Sequence, residues 1–281
     1  MIKIFNLYYF FFIILEILTI IICIKYLKSK SKKFHKNFMG ILLIINLINH
    51  FLKLLYSPYT NLDIGLREIF FTNICSVSIL LFPFFFYSKV NVFKDFIIYL
   101  GVISGFLALI YPTEALNKNI LTFDVWRFYL CHFIIFLVPI LMLSTRYHQV
   151  NYHNIYKIPF ILIFYYIFII FQQIIQSELG IISLRNEDFF DINYRNPSLI
   201  WGPTDDISIV FKIFTPKIFK VVPYGVYRGQ EKYWPFFWLL PATFIYFTII
   251  PSIMCIFMDR NHIRNDFINM KKKLSNMDLK K

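Results

Sequence analysis

Charged residues are scarce in this chain: Asp, Glu, Lys and Arg make up 16% of its 281 residues, while hydrophobic residues make up 58%. Soluble domains are about 25% charged and about 45–50% apolar. The composition therefore excludes an ordinary soluble protein and predicts a polytopic membrane protein. Small residues are also rare, with three alanines and eight glycines. Because close GxxxG-type helix crossings need small residues, we expect interdigitated side chains to pack the helices instead.

Cysteine is sparse and follows no pairing pattern. The four cysteines fall within apolar runs, and the sequence contains no CxxC. This arrangement predicts neither a disulfide framework nor a metal site, and we expect no cofactor. The first 25 residues do not read as a cleavable signal peptide, because their apolar stretch is long and no A-x-A site follows it.

Acidic residues are fewer than basic ones, 16 against 29, which gives a formal net charge of +13. Such an excess can indicate nucleic-acid binding. Here, however, the lysines and arginines lie at the ends of apolar runs and in the connections between them, as membrane topology requires. We therefore expect no nucleic-acid partner. The sequence gives no indication of the oligomeric state.

Long apolar runs are the dominant feature, and they predict an all-α membrane protein with a seven-transmembrane-helix bundle. Each run approaches the ~20 residues that a bilayer requires, and together they form one polytopic domain over residues 1–281. The predicted spans are residues 7–24, 38–55, 69–87, 96–111, 125–143, 158–175 and 235–257.

The distribution of basic residues predicts the orientation. Seventeen lysines and arginines fall in the first, third and fifth connections and the tail 258–281, against three on the other side without the long sixth connection. The positive-inside rule then places the N-terminus outside and the C-terminus in the cytoplasm, in the cell membrane. The sixth connection, residues 178–234, is either a lid over the outer mouth or a packed connector. Within it, Ile207–Val221 is typical of a broken amphipathic helix at the membrane surface.

Polar residues recur inside four of the predicted spans at about one depth, in the outer leaflet. In the third span, spacings of four, three and three place a polar stripe on one helix face, formed by Glu68, Thr72, Cys75 and Ser78. The second, fifth and sixth spans add further members at that level: Asn46, Asn49, His50, Lys53, Arg127, His132 and Gln173. Because polar side chains are costly in lipid, this agreement indicates a functional interior cavity.

Cys75 and His132 are the candidate catalytic pair. An imidazole can take the proton of a thiol and stabilise the thiolate, which can then attack an ester carbonyl to form an acyl-thioester. The oxyanion needs hydrogen-bond donors, and the candidates are Asn73, Asn46 and Asn49. No third member of a triad is clear from the sequence, because Glu68, Glu114 and Asp124 all lie at the outer rim.

Each of these residues also has a purely structural interpretation. Cys23, Cys131 and Cys255 are best taken as small apolar packing residues. Lys53 can extend its ammonium towards the interface. His50, Arg127 and Gln173 are weaker candidates for substrate binding, because each can instead bond helix to helix or, for Arg127, hold a lipid phosphate.

Several short motifs resemble those of the YwaF-like and transmembrane protein 164 family. They are Phe71–Ser76 (FTNICS), Phe128–His132 (FYLCH), Tyr111–Glu114 (YPTE) and Tyr233–Pro235 (YWP). The resemblance implies a seven-helix acyltransferase that uses Cys75 and His132 to move a fatty acyl chain onto lysophospholipids. Bacterial members often carry Pro-x-His-x-Cys at the third span, where this chain has Phe71, Asn73 and Cys75. Asn73 stands where those members carry the histidine, so no role of that histidine carries over to this chain.

The predicted topology favours a membrane lipid as the acyl donor, because the Cys75 level is remote from cytosolic acyl-CoA. We thus expect a phospholipid transacylase, with lipid hydrolysis as a closely related activity. A small-solute transporter or substrate-binding membrane subunit is the alternative, with Lys53 and Arg127 as anion contacts. A purely structural membrane protein is the third possibility.

Overall fold

A computed structural model describes residues 1–182, 198–203, 208–222 and 228–278. Part of the predicted lid, including Ile207, lies outside these residues. The described helices are α1 Leu7–Leu27, α2 Lys32–Leu52, α3 Leu62–Ile69, α4 Ile74–Tyr87, α5 Asn91–Ile110, α6 Phe123–Ser144, α7 Ile158–Glu178, α8 Ser208–Lys212, α9 Leu240–Met258 and α10 Arg260–Asp278.

Helix starts follow the local capping chemistry. The side chain of Asn6 accepts a hydrogen bond from the Tyr9 amide at the start of α1, and Ser31 does the same for Phe34 at the start of α2. Such caps satisfy amides that have no partner within the helix. A short 3₁₀ segment, Lys53–Leu55, continues α2.

The apolar helices confirm the prediction of an all-α membrane protein in the part of the chain that the structure describes. Six helices are long and apolar enough to cross a membrane, and a seventh crossing arises only if α3 and α4 are counted as one span. The structure bends this pair by 51°. The orientation of the termini stays a prediction.

The prediction of one continuous third span, residues 69–87, is wrong. α3 ends at Ile69 and α4 begins at Ile74, so the polar stripe is divided: Glu68 lies on α3, Thr72 in the break, and Cys75 and Ser78 on α4. The physical reason is a second helix start. The Asn73 side chain accepts from the Ser76 amide at 2.7 Å, while the Ser76 hydroxyl accepts from the Asn73 amide at 3.1 Å. This reciprocal capping box makes residue 74 the beginning of a new helix.

Helix α6 forms the centre of the bundle. It packs against α1, α2, α4 and α5, and 72% of its span is buried, compared with 11% for the peripheral α1. Residues on α6 therefore face protein over most of the helix circumference. This explains why Arg127, Cys131 and His132 can occupy the membrane interior without facing lipid.

Helices α5 and α6 approach each other closely at two glycines four residues apart. A Cβ atom built on Gly101 would lie 2.7 Å from the Ile135 carbonyl oxygen, and one built on Gly105 would lie 2.8 Å from the Phe136 Cβ. The segment Gly101–Gly105 is thus a GxxxG-type crossing, in a chain for which we expected few. Interdigitation alone does not pack this pair.

Substitution of Gly101 by alanine should therefore destabilise the bundle despite the higher helix propensity of alanine. We expect the free energy of unfolding to fall by about 1–3 kcal/mol, because the Ile135 backbone must shift. Thermal unfolding in detergent measures the change. The control is Leu107→Ala on the exposed side of α5, which should have a much smaller effect; equal losses would contradict the close-approach argument.

Candidate functional site

The break between α3 and α4 is held by side chains from neighbouring helices. At its start, the His50 Nε2–H donates to the Ile69 carbonyl oxygen at 3.2 Å, and the His50 ring stacks on Phe71 with centroids 4.4 Å apart. Because Ile69 is the last residue of α3, its carbonyl has no intrahelical partner. His50 therefore satisfies a carbonyl that would otherwise be costly in the membrane.

Two glutamines of α7 also form hydrogen bonds with the backbone around this break. The Gln176 side-chain amide donates to the Arg67 carbonyl oxygen at 2.9 Å, and Gln172 Oε1 accepts from the Phe71 amide at 3.4 Å. The predicted site residue Gln173 instead accepts from the Trp201 indole N–H at 2.7 Å. It thereby ties α7 to the following connection. A role for Gln173 in substrate binding stays a prediction.

The two asparagines of α2 point at α6. Asn46 donates from Nδ2 to the Cys131 carbonyl oxygen at 3.2 Å, and Asn49 donates from Nδ2 to the Cys131 Sγ at 3.2 Å. Asn46 Oδ1 is buried and has no hydrogen-bond partner among the described residues. Each of these side-chain amides thus uses one of its two N–H donors. Asn73 offers its Nδ2 as an oxyanion donor, while its Oδ1 caps α4.

The interpretation that Lys53 extends towards the interface is wrong. Only 3% of the Lys53 surface is accessible, and its Nζ lies 3.2 Å from Glu68 Oε2. It also lies over the Tyr59 ring, 5.7 Å from the centroid. Burial with a carboxylate partner satisfies the ammonium internally.

Arg127 is held in the same way at the start of α6. Its Nη2 lies 2.9 Å from Asp124 Oδ1, and its guanidinium lies 5.7 Å from the Tyr59 ring centroid. Asp124 also accepts from the Tyr59 hydroxyl at 2.7 Å and pairs with Lys118. Arg127 therefore has an internal partner, Asp124. A contact between Arg127 and the substrate stays a prediction.

Cys75 occupies the second position of α4, in the first turn after the break. Three amides near this turn have acceptors: Ile74 donates to the Ser198 hydroxyl at 3.0 Å, Ser76 to Asn73 Oδ1, and Val77 to the Asn73 carbonyl. Among the described residues, the Cys75 amide has no acceptor. A helix N-terminus stabilises negative charge nearby, such as the charge of an oxyanion.

His132 lies on α6 with a defined tautomer. Its Nδ1 lies 2.8 Å from the Phe128 carbonyl oxygen, which can only accept, so Nδ1 carries the proton of the neutral ring and Nε2 carries the lone pair. Cys75 and His132 each keep part of their surface accessible. In the described residues, no hydrogen bond joins the two side chains.

Glu114 lies on the exposed turn after α5. Among the described residues, no hydrogen bond or ion pair joins it to Cys75 or His132, so a role for Glu114 in the site is not tested by the structure. Cys131, which we predicted to be a packing residue, is indeed buried.

The model of the TMEM164 family matches residues 3–250 of the chain. This chain belongs to the TMEM164 family. The match spans the region from α1 into α9 and includes Cys75, Glu114 and His132, so it confirms the resemblance that the short motifs carried. No curated protein and no solved structure matches the chain.

Sequence reasoning did not single out Tyr165. It is fully buried on α7, a helix that packs against α4, which carries Cys75. No sequence signal marks Tyr165, because it is one of 19 tyrosines and lies in a uniformly apolar run. Among the described residues there is no group of three His, Cys, Asp or Glu side chains that could hold a metal ion.

The connection between α7 and α9 carries a separate apolar pocket of about 630 Å³, whose lining includes Phe219, Trp234 and Phe237. Around it, the described residues 208–221 contain α8 and a 3₁₀ turn at Lys217–Phe219. None of the predicted catalytic residues lines this pocket. The lid role of the connection stays a prediction for this TMEM164 family member.

Tyr59 provides a pH-dependent test of the polar network. Burial, together with the hydrogen bond to Asp124, raises the pKa of Tyr59 to about 12. Because the pKa is higher in the folded state, this contribution to stability is complete below about pH 10 and is lost as the pH rises through about 12. Tyr59→Phe should therefore lower the free energy of unfolding by about 1–3 kcal/mol at neutral pH.

The difference between wild type and Tyr59→Phe should narrow as the pH rises. Thermal unfolding in detergent at a series of pH values from about 8 to about 11.5 measures it. Tyr156→Phe is the control, because Tyr156 is 63% exposed. A difference that stays constant over the whole range would contradict the role of the Tyr59 hydroxyl.

Proposed function

We propose that this protein is a membrane-embedded acyltransferase that moves a fatty acyl chain to or between phospholipids and lysophospholipids through an acyl-thioester on Cys75. The observation that carries the proposal is the position of Cys75 in the first turn of a helix that restarts within the apolar run. Among the described residues, the Cys75 amide at this helix start has no acceptor and is available to an anion. The positive end of the helix dipole also lies here, in surroundings that otherwise disfavour charge.

The chemistry needs one nucleophile and one base. His132 Nε2 takes the Cys75 proton, and the thiolate attacks the ester carbonyl of a donor lipid. The ester C–O bond then breaks, and the leaving alkoxide takes the proton from His132. In the second half, an acceptor hydroxyl loses its proton to His132 and attacks the thioester. The C–S bond breaks, and the Cys75 thiolate recovers the proton.

The developing oxyanion needs a fixed donor, and the Cys75 amide is the best candidate. It has no acceptor in the described residues, whereas Asn46 and Asn49 each donate one side-chain N–H to Cys131. An amide from the nucleophile's own residue is well placed to reach the carbonyl oxygen that the thiolate attacks. Asn73, Asn46 and Asn49 stay candidates for a second donor.

The predicted orientation of the chain indicates which molecule donates the acyl group. With the N-terminus outside and the C-terminus in the cytoplasm, Cys75 lies in the outer half of the cell membrane, remote from cytosolic acyl-CoA. A membrane phospholipid then supplies the acyl chain, and a lysophospholipid accepts it. Hydrolysis competes if water reaches the thioester. The transport alternative relied on Lys53 and Arg127 as anion contacts, and both already pair with carboxylates.

Intact-protein mass spectrometry tests the proposal. Purified protein in mixed micelles is incubated with phosphatidylcholine or, separately, with acyl-CoA. We expect phosphatidylcholine to add one acyl mass, which neutral hydroxylamine or an added lysophospholipid removes. A requirement for acyl-CoA would overturn the transacylase proposal, and no adduct from either donor would overturn the acyltransferase proposal.

A further inference from the structure

The pocket in the connection between α7 and α9 has an apolar lining that includes a single lysine. Its volume of about 630 Å³ lies within the range of about 300–1,000 Å³ that is usual for pockets that enclose a small ligand. The lining side chains are Lys217, Ile218, Phe219, Val221, Trp234 and Phe237. An occupant that matches this lining is mainly apolar and carries one group that an ammonium can bind.

Backbone hydrogen bonds hold the walls of this pocket together. The Trp234 amide donates to the Phe219 carbonyl oxygen at 3.1 Å, and the Lys232 amide donates to the Lys220 carbonyl oxygen at 2.9 Å. The rings of Phe219 and Phe237 lie 5.8 Å apart, measured between their centroids. The pocket is therefore formed by the fold itself, so a ligand does not need to order the chain in order to bind.

The surface around the pocket is typical of a membrane interface. Ile213 is 70% exposed and Ile218 is 71% exposed, and lysines lie between and beside them, as in helices that lie on a bilayer. Lys212 pairs with Glu231 at 3.2 Å. In the part of the chain that the structure describes, Lys217 has no ion pair. Its ammonium is thus available to an anionic group of a bound lipid.

A short stretch of the connection joins the pocket to the start of α4. The Ile74 amide donates to the Ser198 hydroxyl at 3.0 Å, and two residues later the Ile200 carbonyl oxygen accepts from the Phe236 amide at 2.7 Å. Phe236 directly precedes a lining residue of the pocket. Because two residues span at most about 7 Å, one wall of the pocket lies close to the turn that carries Cys75.

We propose that this pocket binds the lysophospholipid that accepts the acyl group, with its acyl chain against the apolar lining and its phosphate at Lys217. The role as acceptor site rests on the proposed function. A lysophospholipid has one apolar chain and one anionic phosphate, and the pocket offers one apolar lining and one lysine. A phospholipid with two chains would have to leave one of them outside a pocket of this size.

The first test is the dependence of acyl transfer on the concentration of lysophosphatidylcholine, with phosphatidylcholine as the donor. Ile218→Glu places a carboxylate at the lining, at a position whose exposure leaves the packing of the fold intact. We expect the KM for lysophosphatidylcholine to rise about 10- to 100-fold, while the thioester on Cys75 still forms from phosphatidylcholine. Ile213→Glu is the matched control, because Ile213 is equally exposed and does not line the pocket. It should leave the KM unchanged.

The second test measures binding without transfer. Cys75→Ala protein, which cannot form a thioester, is labelled in nanodiscs with lysophosphatidylcholine that carries a photoreactive acyl chain. We expect the label on peptides that contain residues 217–221 and 234–237. Lys217→Gln should weaken the capture of lysophosphatidylcholine about 2- to 5-fold, and it should not affect a photoreactive monoacylglycerol, which has no phosphate. Lys220→Gln is the control, because Lys220 does not line the pocket.

The outcomes separate this inference from the proposed function. If wild type transfers acyl groups but Ile218→Glu has the wild-type KM and the label falls elsewhere, the inference is overturned while the proposed function stands. If Ile218→Glu slows thioester formation, or if phosphatidylcholine competes for the label as well as lysophosphatidylcholine does, the assignment to the acceptor is overturned. If wild type forms no thioester, the proposed function and the acceptor role are both overturned, and labelling of Cys75→Ala then shows separately whether the pocket holds a lysophospholipid.

Discussion

Replacement of Cys75 by serine is expected to reduce acyl transfer by roughly 10³-fold or more, while the protein still inserts and folds. Serine keeps the size of the side chain, but a hydroxyl gives up its proton to a histidine base less readily than a thiol does and is a weaker nucleophile. Removal of a nucleophile from a catalytic unit commonly costs at least this much. The measurement is the rate of acyl transfer from phosphatidylcholine to a lysophospholipid by purified protein in micelles.

The chain contains its own control for this experiment. Cys131 is a buried thiol that precedes His132 on α6. Its Sγ accepts from Asn49 at 3.2 Å, a bond that a serine oxygen can also accept. Cys131→Ser should therefore leave transfer near the wild-type rate. Full activity in Cys75→Ser would return Cys75 to a packing role.

Replacement of His132 by asparagine should slow acyl transfer by about 10²–10⁴-fold, the usual contribution of a general acid–base. The Asn Nδ2 can still donate to the Phe128 carbonyl, as His132 Nδ1 does at 2.8 Å, but no basic nitrogen remains. The loss should therefore appear in the rate of thioester formation rather than in the unfolding temperature. Single-turnover acylation of the variant measures it.

His50→Gln is the matched variant for the second histidine. Glutamine can retain the donor that His50 offers to the Ile69 carbonyl, although the stack on Phe71 is lost. We expect a modest loss of stability with little change in the acylation rate. If His50→Gln slows acylation as strongly as His132→Asn, the base is His50, and the present assignment is wrong.

Much of the bundle could be predicted from the sequence because apolar runs of bilayer length have few alternatives. The break between α3 and α4 could not be predicted in this way. Residues 69–87 read as one apolar run, and only the Asn73–Ser76 spacing indicates a helix start. The partners that hold the break come from α2, α7 and the connection after it, and no local pattern reveals such pairings.

The candidate site, too, could be predicted from the sequence only in part. Equal depth placed polar residues of four spans at one level but did not predict their partners, such as the bonds from Asn46 and Asn49 to Cys131. Depth could not tell which polar groups are already satisfied. It also could not show that Glu68 and Asp124 are paired with cations within the folded bundle.

The bonds that hold the break also constrain the order in which the protein can be assembled. The Phe71 amide bonds to a residue 101 positions later, the Arg67 carbonyl to one 109 positions later, and the Ile74 amide to Ser198, 124 positions later. During synthesis these backbone groups enter the membrane long before their partners exist, and bare polar backbone is unstable in lipid. The α3–α4 segment must therefore wait as a straighter helix, or remain near the interface, until α7 has entered the bilayer. The turn that carries Cys75 is thus completed late in biogenesis, so a chain truncated before α7 should lack it.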